Sequence, residues 1–113
     1  MEFFDFYKDI GDFFNGAIVV NCRTEENAKE FFNLLNSVYN IKWIYGNAIE
    51  ENTKWEKYGE ETCYRILSDR VSLTYNNVRF YKKYKVITYK SKNDTSKDIE
   101  IKTGDNRKII ILD

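Results

Sequence analysis

A chain of 113 residues, 17% aromatic and 32% charged, is long enough for one domain and too short for two independent cores. The aromatic content excludes low-complexity disorder, because each buried Phe, Tyr or Trp removes on the order of 150–250 Å² from water. No apolar run approaches the ~20 residues of a membrane-crossing helix and no basic segment precedes an apolar one, so the expected location is the cytoplasm.

In chain order, residues 1–14 place Phe3, Phe6, Tyr7, Ile10, Phe13 and Phe14 at helical spacing, with Asp5, Lys8, Asp9 and Asp12 between them. That predicts an amphipathic helix, weakened in its last turn by Gly11. Asn15-Gly16 is a turn signal, and residues 17–22 (AIVVNC) read as a buried strand. Thr24 is a good N-cap, followed by Glu25 and Glu26 at the end of the helix that favours anions. Ala28, Phe31, Phe32, Leu35, Val38 and Tyr39 continue that helix as an apolar stripe, which Asn40 is expected to end in the left-handed conformation.

Residues 41–45 form a short predicted strand stopped by Gly46-Asn47. Residues 62–67 and 70–75 are strand runs separated by Ser68-Asp69, which suggests a hairpin, with a further turn at Asn76-Asn77. Residues 78–84 fit either a helical turn or a strand, whereas residues 85–90 (KVITYK) are a strand by β-branched content. After the polar stretch 91–97, residues 99–103 and 108–112 flank Gly104-Asp105-Asn106-Arg107 as a terminal hairpin. The pattern is α+β: one or two helices on a mainly antiparallel sheet, a single domain over 1–113 with residues 1–14 and 91–113 as peripheral additions.

The formal charge is zero but unevenly laid out. Residues 1–61 hold 12 acids and 6 bases, and residues 62–113 hold 6 acids and 12 bases. Such asymmetry steers binding unless the two halves interleave in space. The absence of histidine removes Ser-His-Asp and Cys-His catalysis and His-ligated metals, and no phosphate-cradling glycine motif is present. Cys22 and Cys63, far apart and each on a strand, read as small buried hydrophobes. Glu25/Glu26, Glu50/Glu51 and Glu60/Glu61 are carboxylate pairs, but helix starts and solvated loops explain them. The chain is therefore read as no enzyme, with no catalytic residue, metal or cofactor.

Two surfaces remain as candidates. The loop 50–61 carries Trp55 and Tyr58 among Glu50, Glu51, Glu60 and Glu61. Trp55 either folds back to cap the core or stands out as an aromatic anchor for a partner protein. The second surface is the aromatic–basic stretch from Tyr64 to Lys92, in which Arg65, Arg79, Lys82, Lys83 and Lys85 alternate with tyrosines and Phe80. On a sheet face such a pattern stacks bases and attracts phosphate, unless it is simply the wet side of a half-buried sheet.

The order IVVNCRTEENAKEFFNLL, IKWIYG, then T-x-W-x-x-Y-x-x-x-T-C-Y from Thr53 to Tyr64, and a final aromatic–basic strand, resembles small uncharacterised proteins encoded by phages and prophages of low-GC Firmicutes. The resemblance spans about residues 17–90 and carries no active site. It implies provenance: a phage accessory protein working in the host cytoplasm, of the kind that binds a host machine, as anti-CRISPR inhibitors of host defence do. The leading expectation is accordingly a binding protein, monomer or homodimer. It would occlude a host protein, such as a nucleic-acid-binding defence complex, through the acidic loop or the acidic first helix. The alternative is a nucleic-acid or nucleotide-binding module built on the basic aromatic face.

Overall fold

The computed structural model describes residues 2–49 and 52–91. The predicted terminal hairpin, and Glu50 and Glu51 of the loop, lie outside the described residues. The elements in chain order are α1 (Phe6–Phe14), β1 (Ile18–Cys22), α2 (Glu25–Val38), β2 (Lys42–Trp43), the single-turn α3 (Trp55–Tyr58), β3 (Thr62–Ile66), β4 (Ser72–Asn77) and β5 (Lys85–Tyr89). Short 3-10 turns at Gly59–Glu61 and Val78–Tyr81 lead into β3 and out of β4. The fold is α+β.

The five strands lie in the order β2-β4-β3-β1-β5. The sheet is mixed rather than mainly antiparallel: β1 pairs with β5 and β2 with β4 in parallel, and β3 runs against both its neighbours. The connections explain this. A tight turn at Ser68-Asp69 makes the β3–β4 hairpin that the sequence predicts, with Asp69 Oδ1 accepting the Val71 and Ser72 N–H groups. Two crossovers, α2 from β1 to β2 and residues 78–84 from β4 to β5, return the chain to the same direction.

The crossovers cover opposite faces. On the α2 side, Val20, Tyr64, Ile66, Leu73 and Ile87 pack with Phe13, Phe31, Phe32 and Leu35 in the main core. Burying a Phe or Leu contributes about 1.5–3 kcal/mol each. Val19 and Cys63 point the other way and meet Tyr81, Val78 and Val86 in a smaller core beneath the crossing segment 78–84. Cys22 and Cys63 are buried free thiols on these opposite faces, as their role of small hydrophobes requires.

Thr24 caps α2 as predicted, its hydroxyl oxygen accepting the Asn27 N–H. Asn40 is not the left-handed terminator; the helix ends at Tyr39 in extended backbone, with the Tyr39 N–H still bonded to Leu35 O. The first helix begins at Phe6, not at the chain start. Asp5 caps it through Tyr7 N, and the buried Asp9 carboxylate accepts the Asp5 N–H at 2.8 Å. Residues 2–4 instead run along the free edge of β5, where Phe4 N donates to Thr88 O and Thr88 N to Glu2 O. That edge would otherwise expose unpaired backbone groups. Tyr7 is consequently 91% exposed, while Phe13 and Phe14 carry the helix into the core, so α1 is integral rather than peripheral. Asn76-Asn77 is the end of β4 rather than a turn, because the Asn77 carboxamide caps the following 3-10 turn by accepting Arg79 N.

Candidate functional site

The aromatic loop is fastened to the sheet by its own motif residues. The Trp55 indole N–H donates to Cys22 O at 2.9 Å, and the half-buried ring packs against the main core. Its carbonyl accepts the Thr62 hydroxyl at 3.1 Å, and its N–H donates to the Thr53 hydroxyl oxygen at 3.2 Å. The Tyr64 hydroxyl, fully buried, donates to Thr53 O at 2.7 Å. Burial pushes the Tyr64 phenol far above its ordinary pKa. The Trp43 indole N–H closes the set by donating to Asn52 O at 3.0 Å. Five such bonds let the chain accept left-handed backbone at Lys54 and Gly59 around one helical turn.

Of the loop residues singled out for partner binding, Trp55 is therefore the core cap of the two alternatives. Tyr58 is half-buried with its ring 6.0 Å from that of Tyr75. Glu60 is exposed and faces Arg23 at 3.5 Å, and Glu61 faces Arg79 at 3.3 Å. Glu60 and Glu61 thus each stand beside a cation, which mutes their part of the acidic surface.

Sequence reasoning overlooked Asn21. Buried among apolar β1 residues, its Nδ2 donates to both Glu60 O and Thr62 O at 3.0 Å, tying β1 to the mouth of the loop. The signal was a lone carboxamide in the run AIVVNC, where an unpaired polar group would be costly.

The basic stretch is built differently. The sheet face expected to carry it is covered by the crossing segment, on which Arg79, Lys82 and Lys83 ride, while Arg65 sits on β3 and Lys85 opens β5. Tyr81 turns down into the smaller core, where burial raises its phenol to about 12, while Phe80 turns out and is 66% exposed. Tyr84, 40% exposed, meets the Tyr81 ring edge-on at 5.6 Å. The Arg65 guanidinium lies 4.7 Å from the Tyr84 ring centre and its Nε donates to Gly16 O at 3.2 Å. Arg65 is a brace, not a free cation. Gly16 must be glycine for this contact: its φ is +77°, and a Cβ would stand 2.9 Å from Ile66 O.

The outward cations are Arg79, Lys82, Lys83 and Lys85, with no acid between them in sequence. Arg79 faces Glu61, and Lys85 faces Glu2 at 3.4 Å. Among the described residues, Lys82 and Lys83 stand by no carboxylate. The result is a ridge of four cations and two outward aromatics laid across one face of the sheet.

Among the described residues, no three His, Cys, Asp or Glu side chains gather as a metal site would need, and no helix is long and apolar enough to cross a membrane. No protein-family model, curated protein or solved structure matches the chain.

Proposed function

We propose that this protein is a non-enzymatic binding module that holds nucleic acid on the ridge of residues 79–85. The observation that carries the reading is the placement of Lys82 and Lys83: exposed, unopposed by any described carboxylate, and flanked by the outward Phe80 and Tyr84. Cations beside exposed rings suit a polyanion whose bases stack. The test is the anisotropy of a labelled mixed-sequence oligonucleotide from 50 to 200 mM salt. Phosphate contacts from Lys82 and Lys83 alone predict a fall of about 1.5 log units in affinity per log unit of salt, and about 3 if Arg79 and Lys85 exchange their glutamates for phosphate. The K82E/K83E variant should lose at least tenfold at low salt. A flat salt response, or no binding at 50 mM salt, overturns the proposal.

A second reading rests on α1. Tyr7 stands 91% exposed on α1, which also carries the exposed Asp12 and follows the exposed cap residue Asp5. An acidic, aromatic surface suits a host protein whose own site is basic, the mode expected of a phage-encoded defence inhibitor. Retention of one stoichiometric host protein by the tagged chain, lost in Tyr7→Ala, favours it. The acidic loop is the weaker route to the same end, since Trp55 and Tyr58 are turned inward.

A further inference from the structure

We infer that the ridge selects single-stranded over duplex nucleic acid, with Phe80 as the ring on which an unpaired base stacks; this rests on the nucleic-acid reading above. The 3-10 turn Val78–Tyr81 splits its residues between two directions. Val78 and Tyr81 anchor it in the smaller core, so Phe80 cannot follow them and projects into solvent beside Arg79 and Lys82. An exposed Phe has no hydrogen-bonding reason to be there, and it lies outside both cores.

The ring is nevertheless held. Its centroid is 5.2 Å from that of the buried Tyr81, with the planes at 87°. Tyr81 in turn is packed edge-on to Tyr84, which the Arg65 guanidinium covers. Phe80, Tyr81, Tyr84 and Arg65 form a continuous braced row, so the outer ring is presented by a fixed support.

The chemistry of the ligand follows from what such a ring can recognise. Phe has no donor or acceptor, so it reads no base edge and offers a surface for stacking. A duplex hides its base faces, whereas a single strand offers them. A simple polyanion such as an acidic peptide would use the lysines and gain nothing from Phe80. The cations beside the ring supply the phosphate attraction, and their small number keeps the ring's share of the affinity large.

The experiment is binding of labelled 15-nucleotide oligothymidylate and of a 15-base-pair duplex to the full chain at 50 mM salt. It is run with wild type, F80A and F80W. The inference predicts tighter binding of the single strand and a loss of fivefold or more in F80A, with F80W at or above wild type and duplex affinity unmoved. Equal affinity for the two ligands, or a single-strand affinity indifferent to F80A, overturns the stacking role while leaving a basic nucleic-acid surface standing. Polyglutamate that displaces the oligonucleotide at equal charge concentration also overturns it, because an acidic chain would then suffice. Absence of binding to both nucleic acids overturns this inference and the nucleic-acid function together. Superimposable urea curves for wild type and F80A show that any loss is one of contact and not of fold.

Discussion

Residues 52–64 and residues 78–85 are both rich in aromatic and charged residues, and they put the same residue types to opposite uses. In the first, Trp55 and Tyr64 send their polar atoms to backbone carbonyls and their rings to the core. In the second, Tyr81 does the anchoring, and Phe80, Lys82 and Lys83 are left outside. The difference lies in hydrogen-bonding capacity and connection. Trp and Tyr carry a donor that can satisfy a loop carbonyl, so a loop can be drawn down by them. A seven-residue crossover from β4 to β5 must traverse the sheet face, and one covering turn cannot bury all of its side chains.

The comparison breaks most visibly at Trp55. Trp55→Ala removes the ring from the core, leaves Cys22 O short of a donor, and is expected to cost about 3 kcal/mol, read as a lower urea midpoint. Tyr64→Phe is subtler. It keeps the packing but strips Thr53 O of its donor inside the protein, for an expected loss of about 1–2 kcal/mol in the same measurement.

Alkaline pH separates the buried groups from the exposed ones. Burial raises the Cys63 thiol to about 12, against an ordinary value of 9.0. Between those limits the unfolded chain loses the proton and the folded one keeps it, so stability present below pH 9 declines as pH rises toward 12. The decline from this one group is at most about 1.4 kcal/mol per pH unit. Cys63→Ala should lessen, without abolishing, the fall in urea midpoint from pH 8 to 10, because burial also raises the Cys22 thiol; an unchanged slope would show that Cys63 does not contribute.

Much of the frame was legible in the residues. The apolar stripe of α2 with its Thr24 cap, the buried run of β1 and the β3–β4 hairpin followed from periodicity and turn chemistry. The start of α1 did not, because Phe3 fits the helical stripe as well as it fits the edge of β5. What decides between them is a free edge, which exists only in the assembled sheet. The parallel pairings were hidden for the same reason: local pattern shows a strand but not its neighbour. At the candidate surfaces, the sequence singled out Trp55 and the basic run. It left open whether Trp55 faced in or out, since its partner carbonyl belongs to Cys22, far away in the chain. It also left residues 78–84 open between a helical turn and a strand, because four consecutive 3-10 residues carry no periodic signature of their own.

The most direct test sets one variant from each region against the other, measuring urea stability and oligonucleotide affinity on both. Tyr64→Phe should lower the urea midpoint and leave affinity at wild-type level under folding conditions. K82E/K83E should leave the midpoint within about 0.5 kcal/mol of wild type and lose at least tenfold in affinity. That crossed outcome is what a structural loop and a binding ridge require. Affinity lost in Tyr64→Phe, or retained in K82E/K83E, would contradict the division of labour.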